Sequence, residues 1–114
     1  MKTVNLIPED EYPKLVRDKI PELILARGEK PETRILSDEE YLKYLLKKVV
    51  EESVELYNSA ETGNTKEELA DVLELIEIIL KFNGWNTEEI LKIKADKRKK
   101  NGGFGKKILL LKKP

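Results

Sequence analysis

The stretch EESVELYNSAETGNTKEELADVLELIEIIL, Glu51 to Leu80, decides the fold. It reads as the end of one helix, a short polar turn ETGNT and a second helix, with carboxylates along both. At about 100° per residue every side chain can be given a direction. In the second helix Leu69, Val72, Leu73, Ile76, Ile79 and Leu80 make the main apolar face, while Glu67, Ala70, Glu74, Glu77 and Lys81 lie opposite as a solvated face. Glu68 and Asp71 head a third stripe that continues as Leu75, Ile78 and Phe82. A second apolar stripe implies a second packing partner, another helix or another subunit, and places those two acids in a partly buried setting.

The helix before the turn mirrors this pattern. Leu42, Leu45, Leu46, Val49, Ser53, Leu56, Tyr57 and Ala60 form its core face, bordered by Glu52 and Glu55 on the side shared by Tyr41 and Lys48. Glu51 lies further round, near Lys47 and Asn58. The short turn folds the helices antiparallel and brings the Glu52 and Glu55 pair opposite Glu68 and Asp71. Acids crowded beside a low-dielectric wall raise one another's pKa and repel. A divalent cation removes that conflict, and oxygen-only ligands select Mg²⁺, Mn²⁺ or Ca²⁺ over zinc or copper. Each acid also has a structural alternative. Glu68 could cap Thr65, although Asn64 with Glu67 offers an equivalent box; Asp71 could answer the helix dipole; Glu51, Glu52 and Glu55 could pair with lysines.

Outward from this hairpin the punctuation sets the remaining elements. Pro21 favours the first turn of a short helix to about Ala26, which Gly28 ends. Ser37 and Glu40 form a capping-box pattern opening the long helix that runs to about Ser59, and the second long helix, Thr65 to Phe82, stops at Asn83 and Gly84. Asn86 and Glu89 repeat the box for a third helix ending near Asn101 and Gly102. ETRILS and KKILLLKKP suit two short strands that could pair. The expectation is a single domain over 1–114, mainly α, an antiparallel helical bundle with a small two-stranded β appendage.

Composition narrows the chemistry. The chain has 114 residues, enough for one domain, and 22 basic residues against 22 acidic, so net charge argues for neither a nucleic-acid nor a membrane-surface partner. Cysteine and histidine are both absent. That removes thiolates, the commonest general base and the commonest transition-metal ligand, and with them the Glu-x-x-His motif of di-iron bundles. Catalysis would have to run on carboxylates, lysines, hydroxyls and a hard metal ion. MKTVNLIPEDEY shows no apolar core of signal-peptide length, so a cytoplasmic location is expected.

The pattern Glu51-Glu52-x-x-Glu55, followed after the turn by Glu68-Leu-Ala-Asp71, resembles the EExxE and ExxD signature of the all-α nucleoside triphosphate pyrophosphohydrolases, the superfamily of MazG, dimeric dUTPases and phosphoribosyl-ATP pyrophosphohydrolase. YPKLVRDKIPEL and KADKRKKNGGFGKKILL also look like segments of its small single-domain members, so the resemblance runs from about Tyr12 to Leu111. It implies Mg²⁺-dependent hydrolysis of a nucleoside triphosphate between the α and β phosphates, with Mn²⁺ as a substitute and nucleotide-pool cleaning as the role. Phosphoribosyl-ATP hydrolysis, or a non-catalytic helical interaction module, is the alternative. Carried over by position, Glu52, Glu55, Glu68 and Asp71 would be metal ligands, and Glu51 would join that shell or orient the attacking water. Glu51 and Glu52 are thus the catalytic candidates. Lys94, Lys97 and Arg98, on one face of the last helix, would meet the substrate phosphates, or else answer the helix dipole. Trp85 and Phe104 are candidates for stacking on a base. Arg17, Asp18 and Lys19 match the family segment without an assigned role. A homodimer or homotetramer is expected, with no nucleic-acid or membrane partner, because the stripe Leu75, Ile78, Phe82 needs cover.

Overall fold

The computed structural model describes residues 12–114, and the signal-peptide reading of the N-terminus falls largely outside them. It contains α1 (Ile20–Ala26), α2 (Asp38–Thr62), α3 (Thr65–Asn83) and α4 (Thr87–Asn101). The residues form two compact units that divide between Ile79 and Leu80, within α3. The first holds α1, α2 and most of α3; the second holds the end of α3, α4 and the tail.

The helix ends follow from local chemistry. Ser37 caps α2: its hydroxyl accepts from the Glu40 amide while the Glu40 carboxylate accepts from the Ser37 amide. Arg34 grips the same carboxylate through two nitrogens, at 3.1 and 2.7 Å, and that fork holds the Glu40 carboxyl down near 2. Asn86 and Glu89 make the matching box on α4. Gly63 ends α2 at φ 78°, a left-handed conformation that glycine adopts without strain, and its amide donates to the Ser59 carbonyl. Only Gly63 and Asn64 then separate α2 from α3, and so short a link makes the two helices antiparallel neighbours.

The turn is stitched on its inner side. Ser59 is 1% exposed; its hydroxyl donates to the Leu56 carbonyl at 2.6 Å and stands 2.8 Å from the Thr65 hydroxyl. A serine hydroxyl has one proton, so Thr65 is the donor in the second bond. The bond ties the last turns of α2 to the first residue of α3.

The inward faces of α2 and α3 differ from those that hydrophobicity alone selects. On α2 the buried residues include Leu45, Glu52 and Ser59, seven apart and therefore one face; on α3 they include Glu68 and Leu75, again seven apart. Leu46 and Tyr57 of the expected α2 core are about half exposed, as are Leu69 and Leu73 of the expected α3 face. Leu75, placed in the stripe awaiting cover, is buried within the chain and shares a cavity wall with Leu15, Val16 and Leu45. Leu45 and Leu80 of the expected faces are buried, so the inward surface of each helix combines part of its expected apolar face with the side that carries the acids.

Among the described residues there is no strand. The expected β appendage is therefore not formed: ETRILS and KKILLLKKP both lie outside regular structure, and Ile108 to Leu111 are largely exposed. Two short strands with no face to pack on are marginal in water, which is the physical reason the apolar pattern is insufficient here. Nor is any described helix long and apolar enough to cross a membrane.

Candidate functional site

The antiparallel hairpin sets α2 and α3 acids against each other near the turn. Carboxylate oxygens of Glu52, Glu68 and Asp71 lie within 4.8 Å of one another, and so do those of Glu51, Glu52 and Glu55. Glu52 belongs to both groups. The expected site acids are thus brought together: Glu52 is common to both triads, and Glu55 lies close enough to Glu68 to act on its carboxyl. Glu52 and Glu68 are each only 8% exposed, Glu51 and Asp71 are half-buried, and Glu55 is exposed.

Their partners are unevenly distributed. The Lys48 ammonium stands 3.2 Å from Glu51 and 3.8 Å from Glu52 Oε1. Asn64 donates its side-chain amide to Glu68 Oε1 at 3.0 Å, so this residue contacts the site acid as well as ending the turn. Arg17, from the segment before α1, donates to Asp71 Oδ1 at 2.8 Å. Glu52 Oε2 and Glu68 Oε2 are buried with no hydrogen-bond partner. A buried carboxylate oxygen without a donor is costly, and a pair of them inside a carboxylate cluster more so.

The energetic signature is a resistance to ionisation. Burial pushes the Glu52 carboxyl up to about 8; the neighbouring Glu55 adds to the rise, Lys48 opposes it and Asp71 adds again. Glu68 is raised in the same direction, first by burial and then by Glu55. Either the acids hold protons near neutrality or a cation takes their place. The donor set fits a hard divalent ion: it is all oxygen, partly desolvated, and has two oxygens unsatisfied.

A cavity of about 400 Å³ opens beside the acids, walled by Arg17, Asp18, Lys19, Lys48, Glu52 and Asp71 on its polar side. Glu74, read from the sequence as part of a solvated face, is exposed yet also lines this cavity, one turn beyond Asp71. Lys94, Lys97 and Arg98 are exposed on α4, in the second unit, as are Trp85 and Phe104 beside it. Sequence reasoning offered Lys48 among the lysines that could pair with Glu51 and Glu52, and named Arg17 without a role. Lys48 was accessible, since it stands three and four residues before Glu51 and Glu52 on one helix. Arg17 was not, because 54 positions separate it from Asp71.

Comparison with known proteins adds little to this geometry. No family model matches the chain, and no solved structure matches it. Over 42 residues it is 57% identical to a protein of Mycolicibacterium smegmatis (strain ATCC 700084 / mc(2)155) described only as uncharacterized. That similarity covers 37% of this chain and 43% of the mycobacterial protein, less than half of either.

Proposed function

We propose that the chain is a divalent-metal-dependent nucleotide pyrophosphohydrolase, cleaving a nucleoside triphosphate between its α and β phosphates to give the monophosphate and pyrophosphate. The observation that carries this reading is the pair of buried, partnerless oxygens on Glu52 and Glu68, set within carboxylate triads at the edge of a cavity with cations in its wall. The resemblance of Glu51-Glu52-x-x-Glu55 and Glu68-x-x-Asp71 to the EExxE and ExxD signature supplies the reaction class.

In this reading Glu52, Glu68 and Asp71 hold Mg²⁺ or Mn²⁺, with Glu55 completing the set from the outer triad. The ion supplies positive charge against the phosphate oxygens and acidifies water. Glu51, kept in place by Lys48, orients the attacking water and accepts its proton. Lys94, Lys97 and Arg98 are proposed contacts to the substrate phosphates. The reading includes a homodimer or homotetramer.

The test is product analysis with and without Mg²⁺ across canonical and modified ribo- and deoxynucleoside triphosphates and phosphoribosyl-ATP. Monophosphate and pyrophosphate should form only with metal, and Glu52→Gln and Asp71→Asn should each lower turnover by at least roughly a hundredfold. A folded protein that turns over nothing and binds no Mn²⁺ would sink the proposal. The second reading, a helical interaction module, is favoured by the exposed Leu46, Val50, Leu69 and Leu73; it expects no response to metal at all.

A further inference from the structure

The cavity beside the acids contains more positive charge than a metal site needs. Arg17, Lys19 and Lys48 share its wall with Asp18, Glu52, Asp71 and Glu74. Two of these cations are engaged with acids: Arg17 with Asp71, and Lys48 with Glu51 and Glu52. The chain thus provides counter-charge for the outer side of the cluster, while Glu52 Oε2 and Glu68 Oε2, further in, receive nothing.

A guanidinium on a metal-ligating carboxylate can play either of two parts. As a support it fixes the carboxylate toward the ion and stays when the ion arrives. As a substitute it occupies the carboxylate until the ion displaces it. The geometry favours the substitute. Supports are themselves held by packing, whereas the Arg17 side chain is 61% exposed, and it precedes α1 in a stretch without regular structure. The bond between them joins one guanidinium nitrogen to one carboxylate oxygen, not the two-point fork that Arg34 makes with Glu40. So exposed an ion pair is weak, and a divalent ion among several carboxylates readily outcompetes it. Lys48 differs: its side chain is only 19% exposed and its ammonium donates to Glu51 at 3.2 Å, so it is held as a support.

Building on the divalent-cation reading of the site, we infer that Arg17 is an exchangeable counter-ion. A divalent ion displaces it from Asp71, and the freed guanidinium then binds the phosphate oxygens of a di- or triphosphate ligand in the same cavity. Metal binding therefore precedes phosphate binding, because the phosphate-binding cation is released by the metal. Arginine suits the part, since its fork can pass from one carboxylate oxygen to two phosphate oxygens.

The experiment is calorimetric titration of the full chain with Mn²⁺, then with inorganic pyrophosphate at saturating Mg²⁺, for wild type, Arg17→Ala, Arg17→Lys and Glu52→Gln. Arg17→Ala should bind Mn²⁺ roughly two- to fivefold more tightly, since its competitor is gone. It should bind pyrophosphate at least about tenfold more weakly, with Arg17→Lys between it and wild type. Wild type should bind pyrophosphate only once metal is present. Weaker or unchanged Mn²⁺ binding by Arg17→Ala would make Arg17 a support or a bystander and overturn the inference, as would undiminished pyrophosphate binding. If Glu52→Gln loses Mn²⁺ while Arg17→Ala binds it no more tightly than wild type, the site reading survives and the exchange falls. If wild type takes up no Mn²⁺, both fall together.

Discussion

At residue scale, Glu52 carries its proton well above the ordinary carboxylate range, and the effect on folding has a definite sign. In the unfolded chain it ionises near 4.5; in the folded, metal-free protein it does so at about 8. Between these values the folded state binds more protons than the unfolded state, so stability falls as pH rises. The melting temperature of metal-free protein should therefore be highest near the lower value and decline toward the upper one, with Glu68 contributing in the same direction. Saturating Mg²⁺ should abolish most of the decline, and at a hundredfold excess over Kd it adds about 2.7 kcal/mol. Glu52→Gln should raise the metal-free melting temperature at pH 8 and remove the response to Mg²⁺. A rising pH profile in metal-free wild type would contradict the burial argument. Among these acids the residue types, spacing and oxygen-only chemistry were readable in the sequence. Their pairing was not, because Arg17 reaches Asp71 through tertiary structure that no local spacing encodes.

At the scale of elements, helix termini were the most legible part of the chain. Serine or asparagine followed three residues later by glutamate names both boxed caps, since the reciprocal bonds are entirely local. Ser37→Ala should cost about 1 kcal/mol. Gly63→Ala should cost roughly 1–2 kcal/mol through the left-handed backbone alone, because an added Cβ there meets no atom within 4 Å. Urea denaturation checks both, the expected result being a lower midpoint with an unchanged slope. What the sequence could not rank was the choice between two apolar stripes on one helix. Leu69, Leu73 and Ile76 are as hydrophobic as Leu75 and Ile78, and the Ser59–Thr65 bond that links the two helices on their inner side is not encoded in hydrophobicity. The tail erred the other way: Ile108 to Leu111 has the composition of a strand and nothing to pair with among the described residues.

At the scale of the whole molecule, the outward stripes have their own consequence. Leu46 and Val50 line an open apolar groove on α2, and Leu69, Leu73 and Ile76 remain exposed on α3. Exposed apolar side chains on both helices are what an association surface requires. The proposed homo-oligomer should sediment above the 13.2 kDa of one chain, and Leu73→Glu should shift it toward the monomer while leaving the fold intact, because that side chain is already 54% exposed. Sedimentation of a single 13.2 kDa species by wild type at all concentrations would exclude the oligomer. The Gly63–Asn64 link also has a bearing on time. Glu52, Glu68 and Asp71 sit on adjacent helices closed by that short connection, whereas Arg17 must travel from 54 positions away. Short loops close faster than long ones, so the acids should meet during folding before Arg17 arrives. Stopped-flow refolding should then run faster with Mn²⁺ in the buffer, and Gly63→Ala should slow folding more than it speeds unfolding. A cation present at that moment would enter the newly formed hairpin while its protein-borne competitor was still unfolded.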